Sequence, residues 1–189
     1  MRAVRFRSVL DFEVERDTKA ALGGALDTFA RVAWERKRVE LEKALVGVAV
    51  DPALTVLEAS GLLNALAPEL VGVERPELSR LPLEPWLRVS AWLEPARLNR
   101  LERTQLVKRF KVSGETERDV QAWSAALAVE QVPLMPRPFR HWLAGVGVRA
   151  AQGAVAIWEG TGRVSGLDAR RMRRRLRHPA PHRVKDLAV

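Results

Sequence analysis

Apolar residues return at intervals of three and four along almost the whole of this 189-residue chain, and no stretch alternates cleanly between apolar and polar. That periodicity points to helices and away from sheets, because a strand with one buried face needs a repeat of two. Phe6, Val9 and Leu10 form the first such set, which puts them on the buried face of a helix and Arg2, Arg5 and Ser8 on its other faces. Ala21, Leu22, Leu26 and Phe29 line one side of a second helix, with Asp17 and Thr18 as its cap. A third helix begins at Trp34 or Glu35, with Glu35 suited to the positive end of the helix dipole and Lys43 to its last turn. Asp51-Pro52 opens a fourth, the acid at the cap and the proline in the first turn. It stops before Gly61, after which Leu62, Leu63, Ala65 and Leu66 make a short piece closed by Pro68.

Residues 71–84 are proline-punctuated and read as an irregular linker or seam. Beyond it, Trp86, Val89 and Leu93 mark one helix, and Leu98 and Leu101 another. Ser113 caps a third, with Glu115 and Glu117 in its first turn and Val120, Trp123 and Leu127 on one face. Pro133, Pro136 and Pro138 predict a second break. Trp142 to Trp158 reads as one buried helix loosened by Gly145, Gly147 and Gly153. Gly160, Gly162 and Gly166 form a loop before an arginine-rich helix starting near Asp168. The expected fold is all-α, an array of roughly eight to ten helices, divided as 1–70, 71–165 and a basic segment 166–189.

Composition narrows the function classes. With 47% hydrophobic and 29% charged residues the chain can bury an ordinary globular core. The absence of cysteine excludes disulfides, thiolate zinc sites and cysteine nucleophiles, and fits a reducing cytosol. No apolar run approaches the ~20 residues that span a bilayer, and the N-terminus is not a signal peptide. A cytoplasmic protein with no membrane partner is expected. Of the net charge of +9, the segment between Asp168 and Lys185 holds +7, leaving +3 on residues 1–167 because Asp186 contributes −1. A polyanionic partner suits that segment. Arginine outnumbers lysine, which suits phosphate recognition. A GC-rich genome gives the same excess without any ligand.

Enzyme chemistry is sparse. His178 and His182 have metal-like spacing, but Pro179 and Pro181 keep them off a shared helix face, and solvated loop histidines are the simpler account, as for His141. Gly23-Gly24 lies within a helical pattern and reads as helix packing, and Gly145-Val146-Gly147 lacks the surroundings of a phosphate loop. Asp11-x-Glu13 and Glu115-x-Glu117 are spaced like magnesium ligands, though the second pair fits a helix N-terminus better. No catalytic constellation emerges.

Arg2-Ala3-Val4-Arg5-Phe6, then Phe12-Glu13-Val14, Thr18, Ala21 and Leu22, resembles the start of the neck in bacterial class II tRNA nucleotidyltransferases, the CCA-adding enzymes and their poly(A) polymerase relatives. Glu35, Arg36, Glu40 and Leu41 match that family's neck motif, with Ala33 where serine is usual. Asp51-Pro52-Ala53-Leu54, Val56-Leu57, Gly61-Leu62-Leu63 and Pro68-Glu69-Leu70 continue the likeness. Lys108-Arg109-Phe110-Lys111-Val112-Ser113 is similar to a turn of the body, and residues 181–189 to a segment of the tail.

The resemblance implies a neck, a body and a partial tail without the catalytic head, since the metal-binding Asp-x-Asp and the base-selecting Glu-Asp-x-x-Arg lie upstream of the matched region. It implies tRNA as partner, with no cofactor held by this chain. Mg2+ and CTP or ATP are expected only with a head, supplied by a separate chain if at all. Arg2 and Arg5 would back the nucleotide pocket, or are surface arginines. Glu35, Arg36 and Glu40 form the neck motif, with ion pairs expected from Arg36 to Glu40 and from Arg38 to Glu42. Lys108, Arg109 and Lys111 form a candidate RNA patch or a solvated face. Arg170, Arg171, Arg173, Arg174 and Arg177 form a candidate grip on the RNA backbone.

Overall fold

A computed structural model describes residues 1–177; the candidate histidine pair His178 and His182 and the tail-like segment 181–189 lie outside the described residues. Twelve α-helices run in order: α1 (Arg2–Leu10), α2 (Arg16–Gly24), α3 (Leu26–Ala30), α4 (Trp34–Leu45), α5 (Val50–Ala59), α6 (Leu62–Leu66), α7 (Pro85–Leu93), α8 (Arg100–Arg109), α9 (Gly114–Leu127), α10 (Pro136–Val146), α11 (Val148–Gly160) and α12 (Gly166–Arg177). No strand occurs among the described residues. The all-α expectation holds. The count exceeds eight to ten because α3 and α6 are five-residue pieces.

α1 packs on α4 and α5 by a face other than the one its periodicity selects. Phe6, Val9 and Leu10 are 46%, 44% and 47% exposed, while Val4 and Ser8 are fully buried. The reason is a close backbone approach. Ser8 donates its hydroxyl to the Ala44 carbonyl and accepts at its own carbonyl from the Ala49 amide. Gly47 permits this: a Cβ there would stand 2.1 Å from the Ser8 Oγ. A small hydroxyl face thus replaces the greasy one.

The second expected helix is two. α2 starts after Glu15 rather than at Asp17 or Thr18, and the chain breaks at Ala25 before α3. Gly23 and Gly24 touch nothing where a Cβ would stand, so they end α2 rather than pack it. α4 begins at Trp34, with Glu35 in its first turn and Lys43 in its last, as expected.

Asp51 sits one residue inside α5 instead of capping it. Its carboxylate accepts from the amides of Leu78 (2.9 Å) and Ser79 (3.0 Å), and so caps the 3-10 turn Leu78–Arg80 across 27 residues of sequence. Arg75 reinforces it, with Nη1 2.5 Å from the Asp51 carboxylate and Nε 3.1 Å from Glu58. Burial alone would raise the Asp51 pKa. The hydrogen bonds from Ser79 and Leu78 and the Arg75 charge outweigh it and hold the carboxyl below the ordinary range. The irregular stretch 71–84 therefore sends Leu78 and Leu81 into the core.

α7 is the centre of the array, with every residue from Trp86 to Leu93 buried. It packs against α4, α9 and α11. Trp34, Phe110 and Trp86 meet edge to face at 5.4 and 5.6 Å and tie α4 to α7 through the end of α8. Arg88, 2% exposed, spends its guanidinium on the carbonyls of Leu45, Leu81 and Pro82. Leu101 is 65% exposed and not a core residue of α8, which instead buries Arg103, Leu106 and Val107.

α9 matches expectation residue for residue: the Ser113 hydroxyl accepts from the Thr116 amide, and Val120, Trp123 and Leu127 are buried. The expected single helix over 142–158 is broken at Gly147, whose φ of 80° only glycine adopts cheaply. Pro136 and Pro138 lie in the first turn of α10 rather than in a break, a position where their missing amides cost nothing. Gly153 lets α11 press on α9, since a Cβ there would lie 2.2 Å from the Trp123 indole nitrogen.

Candidate nucleic-acid interface

Two places on the surface gather cationic side chains that the fold leaves to solvent. The first is a cleft of about 520 Å³ where the N-terminal end of α1 meets α3 and α4. Arg2 and Arg36 line it, both exposed and neither in an ion pair among the described residues. Glu35 and Glu40 contribute the carboxylates, and Phe29, Val32 and Val39 the apolar wall. Arg5 does not reach the cleft. It is held 3.0 Å from Glu40 and lies over the Phe6 ring at 4.6 Å. Glu40 gives its Oε1 to Arg5 while its Oε2 is buried without a hydrogen-bond partner, and the Arg36–Glu40 pair expected from i, i+4 spacing does not form. Arg38–Glu42 does, at 3.3 Å. The same Glu42 oxygen accepts from the Trp86 indole at 2.8 Å, so α4 is braced against α7 through a carboxylate.

Lys37 was not singled out by sequence reasoning and is the least ordinary group in this cleft. It is 3% exposed, with Nζ 3.2 Å from the Ala30 carbonyl, 4.3 Å from the Trp34 ring centre and 4.8 Å from that of Phe29. Burial draws its pKa down from the usual lysine value. The signal in the sequence is the spacing alone: Phe29 and Trp34 lie eight and three residues ahead of it, within reach once α3 turns into α4.

The second place is the outer face of α12. Ala169, Met172 and Leu176 point inward, which at 100° per residue turns Leu167, Arg170, Arg171 and Arg174 outward. Arg171 pairs with Asp168 at 3.2 Å, an exposed contact worth a few tenths of a kcal/mol. Arg174 and Arg177 are exposed and have no ion pair among the described residues. Arg173 is turned to Glu159 of α11, and Arg175 to the Leu134 carbonyl and the Phe139 ring. The five candidate arginines of this helix therefore divide, with Arg173 used to seat it.

Of Lys108, Arg109 and Lys111, the first two are turned to carboxylates. Arg109 makes a forked pair with Glu69, Nη2 to Oε1 at 2.5 Å and Nη1 to Oε2 at 3.1 Å, and also reaches the Leu66 carbonyl. Burial would raise the Glu69 pKa, but the Arg109 hydrogen bonds and charge lower it. Lys108 leans to Glu117 at 3.5 Å, and Lys111 is exposed at a positive φ of 52°. The sequence hid this because Glu69 lies 40 residues away. Among the described residues no three His, Cys, Asp or Glu side chains are grouped to hold a metal ion. No helix among them is long and apolar enough to cross a membrane.

Residues 11–72 match the sequence family described as "Probable RNA and SrmB- binding site of polymerase A". A CCA-adding enzyme of Anoxybacillus flavithermus is 36% identical over 122 residues, which cover 64% of this chain and 30% of that protein. The CC-adding tRNA nucleotidyltransferase of Shouchella clausii is 32% identical over 137 residues, 66% of this chain and 36% of its own length. The crystal structure of the Bacillus stearothermophilus CCA-adding enzyme in complex with CTP superposes over the whole chain with a TM-score of 0.75, at 23% identity and over 48% of that protein. The chain is class II tRNA nucleotidyltransferase-like, and what it matches is the C-terminal region of that family. This nucleotidyltransferase-like region spans about a third of the length of the curated relatives it matches. The RNA-binding match takes in α2 to α6 and with them Phe29, Arg36 and Lys37 of the cleft, while α12 lies outside it.

Proposed function

We propose that this chain binds the acceptor end of tRNA and serves CCA addition, whole or partial, when a catalytic head is present. The observation that carries the reading is the RNA-binding family match over residues 11–72, laid on a fold whose cationic cleft and α12 face have arginines left over after internal pairing. The metals and the nucleotide belong with the head in this reading, and the neck, body and tail-like helices hold the RNA.

The test is direct. The purified chain, given tRNA, CTP, ATP and Mg2+, is expected to bind tRNA with an affinity that falls as salt rises, and to add no nucleotide. Robust incorporation sinks the proposal that the head is needed, and absence of tRNA binding sinks the rest.

A second reading, a helical RNA-binding adaptor or a non-catalytic remnant, rests on the same cationic surfaces. Mixing the chain with a separately produced head from a relative separates the two. Recovered CCA addition supports the enzyme part, and unchanged RNA binding without recovery supports the adaptor.

A further inference from the structure

The face of α1 that its own periodicity selects for burial is left open by the rest of the described residues. Phe6, Val9 and Leu10 are exposed because Ser8 takes the buried side against Gly47. Phe12, just past the end of the helix, is exposed as well. So is Val48, which sits beside α1: its neighbour Gly47 approaches Ser8 closely, and its neighbour Ala49 donates its amide to the Ser8 carbonyl. None of the nine residues of the following helix, α2, is buried. Soluble chains rarely gather large exposed apolar side chains in this way unless the face meets another surface. The backbone of RNA is a poor occupant, since phosphates are held by charged and polar groups, and α1 itself precedes the RNA-binding match over residues 11–72.

The charge around this face points to a second copy of the chain. Residues 2–7 hold Arg2, Arg5 and Arg7 and no acid, a charge of +3. Residues 11–17 hold Asp11, Glu13, Glu15 and Asp17 against Arg16, a charge of −3. Internal pairing joins Arg5 to Glu40 and Arg7 to Asp11, and leaves Arg2, Glu13 and Glu15 exposed without ion pairs among the described residues. Two such faces laid antiparallel bring each basic end to the other's acidic end, whereas a parallel pairing sets like charge against like. A two-fold axis between Phe6 and Val9 sets Phe6 against the partner's Val9 and Arg2 near the partner's Glu13.

We propose that this chain forms a closed antiparallel dimer through the outer face of α1, with Phe6, Val9, Leu10 and Phe12 at its centre and an Arg2–Glu13 pair at each end. The dimer requires neither RNA nor a catalytic head, and its interface uses no residue of α12.

Sedimentation velocity over a dilution series of the purified chain tests it. The wild type is expected to pass from dimer to monomer with a dissociation constant of roughly 1–100 μM, as for an interface at the small end of the specific range. Phe6→Asp/Leu10→Asp is expected to raise that constant about tenfold or more, because it buries carboxylates where the two apolar faces meet. Arg2→Glu and Glu13→Arg each set like charges at both ends of the interface, and each is expected to weaken the dimer about tenfold in its own solution. Mixed, the two variants are expected to form a heterodimer near wild-type strength, since that pairing restores opposite charges at both ends. All four positions are exposed, and an unchanged circular-dichroism melt verifies the fold. A wild type that stays monomeric across the series, or a dimer that Phe6→Asp/Leu10→Asp leaves intact, overturns the proposal. A mixture of the two charge variants that associates no better than either alone also overturns it, since the contact would then be apolar adhesion without the antiparallel register.

Discussion

α4 and α12 are both twelve-residue helices rich in basic residues, and the protein uses them in opposite ways. In α4 the acids Glu35, Glu40 and Glu42 are interleaved with the bases. Glu42 takes Arg38 and the Trp86 indole, and Glu40 takes Arg5 from α1, so two of its three carboxylates brace the helix against its neighbours. In α12 a single acid, Asp168, faces six arginines, and only Arg173 and Arg175 are turned back onto other elements. What decides the role of an arginine here is the number of carboxylates and carbonyls within reach. The local density of positive charge does not.

Removing arginines from each end of that range tests the contrast. The largest effect is expected at Arg88, which answers three buried carbonyls. Arg88→Ala should cost at least about 3 kcal/mol, since stranded buried acceptors cost roughly 1–3 kcal/mol each and relax only in part. Urea denaturation measures it, and a loss below 1 kcal/mol would mean that the carbonyls find water.

Asp51→Asn should come next, at roughly 1–3 kcal/mol for a carboxylate whose hydrogen bonds hold Leu78 and Ser79. The folded pKa of Asp51 is depressed, so its contribution is complete above the unfolded value near pH 4 and drains away as pH falls through the folded one. The wild type should therefore lose stability more steeply than the variant on acidification below about pH 4. Parallel stability curves for the two proteins across that range would break the assignment.

Arg109→Ala should be milder, about 1–2 kcal/mol for a half-exposed forked pair with Glu69, with the salt dependence of RNA binding unchanged. A smaller salt slope in that variant would return Arg109 to the RNA surface. At the foot of the series, Arg170→Ala/Arg174→Ala should leave the melting midpoint nearly unmoved, within the ~0.5 kcal/mol typical of surface changes. The same variant should flatten the log–log salt dependence of RNA affinity by roughly 0.7–0.9 per lost phosphate contact. If it melts early and binds normally, α12 belongs with α4 in the bracing class.

What was legible in the sequence follows the same line between near and far. α9 could be read because its cap, its acidic first turn and its apolar face all lie within fifteen consecutive residues, Ser113 to Leu127. The start of α4 and the end of α5 before Gly61 are local in the same sense. α1 was misread because Phe6, Val9 and Leu10 satisfy the helical repeat perfectly well, yet the buried face was set by the fit between Ser8 and Gly47, 39 positions apart. The expected 142–158 helix ignored that a repeat of three and four carries on across a glycine even when the backbone does not. In the candidate site, Arg2 and Arg36 could be named from the family motif. That Arg36 is left without a carboxylate depends on Arg5 reaching Glu40 from another helix, and that Arg109 is consumed depends on Glu69. Neither partnership has a local signature.

The anchoring of residues 71–84 by Asp51 reaches into the handling of the protein by proteases. Arg80 holds its side chain out to solvent, an apparent invitation to trypsin, but the peptide bond that would be cut joins it to buried Leu81, two residues beyond the amides that Asp51 holds. Cleavage there has to wait for the turn to leave the core, so its rate follows the population of the opened state and not the exposure of the arginine. This proline-rich stretch, the part of the chain that looks most like a hinge, thus serves as a built-in gauge of how often the helices around α7 come apart.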